Sequence, residues 1–181
     1  MNEPGKPSRG PNHWVLIALA AACALITTLA SWRTQAETLA DPPHRVAEPY
    51  DEAADPTRDL QAALMRTRQG GKRVLVVFGA NWCPDCRVLD REFHAGGKTA
   101  ALVARRYEVV KVDVGRFDRK LDFAKLYGEP IAKGIPSVVV VTPTNTVVYQ
   151  TKAGELADAR AMRADGLFDF FRNMADRPAG S

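Results

Sequence analysis

Only three cysteines occur in the 181 residues, Cys23, Cys83 and Cys86. No framework of structural disulfides can therefore hold the fold, and a hydrophobic core must do so. Histidine is equally scarce, with three. No second C-x-x-C and no Cys/His cluster follows Cys83-Pro84-Asp85-Cys86 to complete four ligands, which argues against a structural zinc site and gives no metal ligands to name. The chain also lacks a long run of one charge. Its 25 Lys and Arg are interspersed with 21 Asp and Glu, for a formal charge of +4, so the basic excess reads as a solvated mixed surface and not as a nucleic-acid footprint.

Charge is missing altogether from residues 14–32, WVLIALAAACALITTLASW. A hydrocarbon core takes roughly 20 apolar residues of helix, and tryptophans at both ends suit its interfaces. This run is expected to be a signal anchor, the alternative being a cleaved secretory peptide. Against cleavage, the run exceeds the usual apolar region, and only poor sites such as Thr34-Gln35-Ala36 follow. Cys23 lies inside it, with apolar sequence continuing beyond, and reads as a small membrane-embedded side chain. Residues 1–13, rich in Pro and Gly, are expected to be a disordered cytoplasmic tail, and residues 33–52, with Pro42, Pro43 and Pro49, a tether. One domain, 53–176, follows, with a disordered end at 177–181. In a bacterial context it would be periplasmic, on a single-pass inner-membrane protein or, after cleavage, as a secreted one.

Within that domain the chemistry gathers in VLVVFGANWCPDCRVLD, Val74 to Asp90. Val74 to Phe78 is a continuous β-branched and aromatic run, as in a central strand buried on both faces. Pro84 suits a first helical turn, and Val88, Leu89 and Phe93 recur at helical spacing. Cys83 is thus expected at a helix N-cap, where unpaired N–H groups and the dipole favour its thiolate. Cys86, one turn inside, shares its face, so the pair can open and close a disulfide and carry two electrons.

Other elements follow from local signals. Asp55-Pro56 should open a helix that Gly70-Gly71 closes. Thr99 to Arg106 reads as helix, Tyr107 to Val114 as strand, and Phe117 to Tyr127 as helix. Ser137 to Thr142 and Val147 to Thr151 read as a hairpin. Glu155 to about Met174 reads as a last helix.

The segment FGANWCPDCRVLD resembles the active-site segment of the thioredoxin superfamily, and Gly134-Ile135-Pro136-Ser137 resembles its second hallmark, a loop whose cis proline faces the C-x-x-C. The resemblance covers about residues 53 to 176. It implies an α/β thioredoxin-like mixed sheet with helices on both faces, which the uncharged run at residues 14–32 would precede as one transmembrane helix. It also implies a thiol-disulfide oxidoreductase working on protein disulfides without a cofactor, supplied by an upstream redox partner. Cys83 would be the nucleophile and Cys86 the resolving thiol of a redox-active disulfide. Trp82, Pro84, Asp85, Ile135 and Pro136 would meet substrate, the Ile135 backbone pairing with an extended segment. An alternative is a thiolate module that handles copper.

Several residues carry second readings. Asp85 has a second reading as a solvated first-turn acid that complements the helix dipole. Arg87 divides between support for a thiolate and plain solvation. Val77 stands where thioredoxins carry a buried Asp. Lys111 matches a strand lysine that can neighbour the site, Asp113 reads as a strand-end residue, and His94 reads as a surface residue too far along the helix for a dyad.

Overall fold

The computed structural model describes residues 48–178, so the expected tail, anchor and most of the tether lie outside the described residues. Among the described residues no helix is long and apolar enough to cross a membrane. Helix α1, Pro56–Gly70, begins where Asp55 accepts the N–H groups of Thr57 and Arg58, and it ends at Gly71 in the left-handed conformation. Both ends are those the sequence signals.

Strand β1, Arg73–Gly79, runs through the middle of a four-stranded sheet ordered β2-β1-β3-β4. It pairs in parallel with β2, Tyr107–Asp113, and antiparallel with β3, Ser137–Val141. β3 and β4, Val147–Gln150, form the expected hairpin. The central position explains the composition of β1: Val74, Leu75, Val76, Val77 and Phe78 are all buried. Between the strands lie α2, Pro84–His94, and α3, Lys98–Arg106; the short α4, Leu121–Lys125, precedes β3.

Alternation along β2 shows how the helices are distributed. Tyr107 donates its O–H to the Phe171 carbonyl at 2.9 Å, on α5, Ala164–Ala175, and Lys111 pairs with Asp90 on α2. Glu108, of the opposite parity, pairs with Arg66 of α1 at 2.9 Å. Helix α1 thus covers one face, and α2 and α5 the other. Glu108 also meets Lys72 at 3.1 Å. The Arg66 guanidinium and, against the cost of burial, Lys72 hold its carboxyl below the ordinary 4.5. A lowered folded-state value stabilises the fold above the unfolded value, and that contribution is lost as pH falls through the folded one. Glu108→Gln should therefore be less stable than the parent at neutral pH, with the gap closing in acid. Denaturant melts from neutral pH down through the carboxylate range check this, and a gap that does not close would refute it.

Three expectations need correction. Residues 48–52 are not all tether: Tyr50 is buried in the core, with its ring so close to Gly79 that a Cβ there would lie 2.3 Å from it. The stretch from Phe117 is helical only over α4; Phe117 itself has φ 64° and is exposed. The last helix begins at Ala164 and not near Glu155. Before it, Ala157, Ala159 and Ala161 each donate to the carbonyl three residues back. The reason lies partly in Gly154, at φ +78° and tight against the Lys133 carbonyl. It lies further in Arg160, whose N–H goes to Asp85 at 2.9 Å and so is lost to a helical ladder. Leu156 and Ala159 are buried by this loop as completely as a helix would bury them.

Candidate active site

At the C-terminal end of β1 the chain turns through Ala80, Asn81 and Trp82 into α2. Cys83 is the N-cap, extended at φ −80° and ψ 115°, and its carbonyl accepts from Arg87 N at 3.2 Å. The Cys86 N–H points at Cys83 Sγ, 3.2 Å away. The two cysteines are disulfide-bonded, with Cα atoms 5.3 Å apart. A backbone donor and the helix start both bear on the sulfur of Cys83, and these are the groups that stabilise a thiolate. The two cysteines differ little in enclosure. Cys83 is 3% exposed and Cys86 0%.

The Ile135–Pro136 peptide bond is cis. Ile135 brings its carbonyl oxygen to 3.6 Å from Cys83 Sγ, so the backbone before the proline lies directly beside the sulfur. Ser137 fixes the loop behind it, donating to the Pro130 carbonyl at 2.7 Å and meeting Thr151 Oγ1 at 2.6 Å. Ile135 and Pro136 are buried, whereas Trp82 and Pro84 are exposed. Trp82, at 46% exposure, is held edge-on by its indole N–H, which donates to the Gly115 carbonyl at 2.7 Å. Phe117 meets it in a T-shaped contact at 6.4 Å, and the Arg116 guanidinium lies 5.5 Å from its ring centre. An apolar ledge therefore borders the disulfide.

Asp85 departs from both sequence readings. It is 6% exposed, neither a solvated acid nor open to a substrate. Both carboxylate oxygens receive Arg160 Nε at 3.1 Å, and Oδ1 also accepts Arg160 N. Lys111 lies in register with Val77, on the strand beside it, and its ammonium is taken by Asp90, four residues after Cys86 on α2. No carboxylate stands at Val77 itself, which is buried among apolar neighbours. Asp113 caps the strand end, accepting the Gly115 N–H at 2.9 Å. Burial, and after it the charges of Asp90 and Asp113, push the Tyr50 phenol up. Arg87 is exposed. His94, exposed as expected, turns back to the Asp90 carbonyl at 2.7 Å.

Asn81 and Arg160 carry no local signal in the sequence. The Asn81 side chain accepts Tyr50 N at 2.9 Å and donates to the Tyr50 carbonyl and to Glu48, each at 2.8 Å. It locks residues 48–50 against the loop that leads into Cys83 as a strand partner would. Among the described residues no group of three or more His, Cys, Asp or Glu could hold a metal ion.

A family profile described as thioredoxin-like matches residues 55–143. The chain is similar to a solved disulphide isomerase from Xylella fastidiosa Temecula1, at 48% identity and TM-score 0.69, covering 72% of this chain and 99% of that one. A thioredoxin from Thermus thermophilus matches at 19% identity and TM-score 0.47, covering 64% of this chain and 82% of that one. The C-terminal domain of DsbD from Neisseria meningitidis, in its oxidised form, matches at 18% and 0.48, covering 66% and 96%. No curated protein matches.

Proposed function

The chain belongs to the thioredoxin superfamily, and on that premise we propose that it is a thiol-disulfide oxidoreductase whose substrates are disulfides and thiols of other proteins. The observation that carries this reading is the Cys86 N–H aimed at Cys83 Sγ at a helix start, with the Ile135 carbonyl beside the same sulfur. In the reducing direction the Cys83 thiolate attacks one sulfur of a substrate disulfide. A Cys83–substrate disulfide forms and the substrate's other sulfur leaves as a thiolate. Cys86, deprotonated in turn, attacks Cys83 Sγ; the Cys83–Cys86 disulfide forms and the second substrate thiolate departs. Two electrons and two protons have then passed to the substrate. An upstream reduced dithiol must restore the pair, and the reverse sequence oxidises a substrate.

An extended substrate segment fits along the Ile135 backbone, with Trp82 and Pro84 offering apolar contact. The 48% identical disulphide isomerase supports exchange among protein disulfides as the working class. The apolar run at residues 14–32 supports attachment to a bacterial inner membrane with this domain on the periplasmic side; cleavage of that run would release it there.

An insulin-reduction assay with dithiothreitol as donor tests the activity. Turbidity should rise earlier with the parent protein than without it, and Cys83→Ser should give the uncatalysed time course. A Cu(I) titration of the reduced protein run beside it tests the other use of the thiolates. Tight binding of one Cu(I) with no insulin reduction would replace the oxidoreductase reading by the metal-handling one.

A further inference from the structure

The two residues between the cysteines are ordinarily solvent-facing positions of a first helical turn, yet here one of them is buried and held from a distant loop. Asp85 is 6% exposed, and the Arg160 guanidinium and backbone N–H meet it from 75 positions further along the chain. Arg160 itself is half-exposed, with 56% of its side chain accessible against 9% for Asp85. A fork of donors on a nearly enclosed carboxylate is the arrangement in which an ion pair is least screened by water.

We propose that Arg160 is a positioning residue that sets the redox poise of the Cys83–Cys86 pair, by neutralising the Asp85 charge and by holding the loop before α5 against the active site. The inference rests on the oxidoreductase reading and extends it. A negative charge in the same helical turn opposes the Cys83 thiolate, offsetting what the Cys86 N–H and the helix start provide. Arg160 cancels much of that charge. The charged groups nearest the disulfide along the chain are Asp85 and Arg87 on α2, Arg160 on the loop, and Lys133 ahead of Ile135; farther along α2, Asp90 is taken up by Lys111 of β2, and on the loop Glu155 accepts the Lys152 and Ala153 N–H groups. Of these Asp85 alone is buried, and Arg87 and Lys133 are exposed, where solvent screens them.

The same loop touches the second half of the site. Ala157 Cβ would lie 3.5 Å from a Cβ at Gly134, two residues before the cis proline, and Gly154 sits against the Lys133 carbonyl. The loop therefore bridges the N-terminus of α2 and the segment that presents the Ile135 carbonyl. Its grip on α2 is the Arg160–Asp85 contact.

The sign follows from which redox state bears a thiolate. The oxidised pair is neutral, and reduction creates a charge on Cys83. Without Arg160, an uncompensated Asp85 disfavours that charge, the reduced form loses stability, and the pair becomes more reducing. Without Asp85 the thiolate is favoured and the pair becomes more oxidising.

The test is a double-mutant cycle on the full chain, with two readouts from the protein's own cysteines: the pH midpoint of thiolate absorbance in the reduced protein, and the equilibrium with glutathione. Arg160→Gln should raise the midpoint and shift the glutathione equilibrium roughly three- to tenfold toward the disulfide, as expected for loss of one opposing charge. Asp85→Asn should shift both the opposite way. In the Asp85→Asn background, Arg160→Gln should move neither by more than a small fraction of that amount, and Arg160→Lys in the parent should retain most of the parent values. A loop that served stability alone would lower the melting temperature of Arg160→Gln but shift both readouts equally in the two backgrounds, or not at all, and either outcome overturns the proposal. Should Arg160→Gln not fold, Asp85→Asn and Arg160→Lys still decide the sign. Both readouts are independent of protein substrates, so failure of insulin reduction by the parent would count against the oxidoreductase reading and leave this cycle interpretable.

Discussion

Replacing Cys86 by serine is expected to leave substrate covalently attached to Cys83, whereas replacing Cys83 by serine should trap almost nothing. Intramolecular attack by Cys86 normally clears the mixed disulfide, so removing that thiol stalls the reaction after the first step. The asymmetry rests on the helix start and not on exposure, since both cysteines are nearly enclosed. Cys83 Sγ receives the Cys86 N–H at 3.2 Å as the N-cap of α2, and Cys86 lies inside that first turn. The Ile135 carbonyl also stands beside Cys83 Sγ, where a substrate backbone would arrive. Non-reducing electrophoresis after incubation with a disulfide-bonded protein should show adducts with Cys86→Ser that dithiothreitol releases. Equal trapping by the two variants would contradict these roles.

The second large effect lies away from the chemistry. Tyr50→Ala should cost roughly 3–5 kcal/mol, the usual range for deleting a fully buried aromatic ring. Tyr50 is 2% exposed, and its ring occupies the space a side chain at Gly79 would need. The loss is a large part of the 5–15 kcal/mol that holds a typical domain together. Its melting temperature should fall by about 10 °C or more. Removing residues 48–52 should do at least as much, because Asn81, one residue from Trp82, would lose the Tyr50 backbone and Glu48 as partners. Arg119 and Lys120 would also lose Glu52 and the Asp51 and Glu52 carbonyls. A fragment beginning at residue 53 that melted with the parent would refute this.

What could be read from the sequence was what local chemistry encodes. Asp55-Pro56 and Gly71 bound α1 because capping needs only neighbouring backbone groups. The unbroken apolar run of β1 could be assigned to a central strand because only burial on both faces accounts for it. Cys83 could be placed at a helix start because Pro84 fixes the first turn. The cis bond before Pro136 was legible through family resemblance alone. Contacts between distant segments left no such mark. Asp85 looks like any first-turn acid until Arg160 folds back onto it. Leu156, Ala159 and Met162 are spaced as on a helix, but the loop buries Leu156 and Ala159 in successive turns. Tyr50 sits among prolines and acids that read as linker, and only the space above Gly79 makes it core.

The central claim is that Cys83 and Cys86 form one reversible two-electron couple. Its most direct measurement is the count of free thiols, by alkylation and mass, after equilibration of the protein in glutathione buffers from oxidising to reducing. Cys83 and Cys86 should appear together, two thiols in a single transition that is the same from either direction, while Cys23 stays outside it. Separate transitions for Cys83 and Cys86, or a thiol at either of these two positions that remains free in oxidised glutathione, would contradict the account.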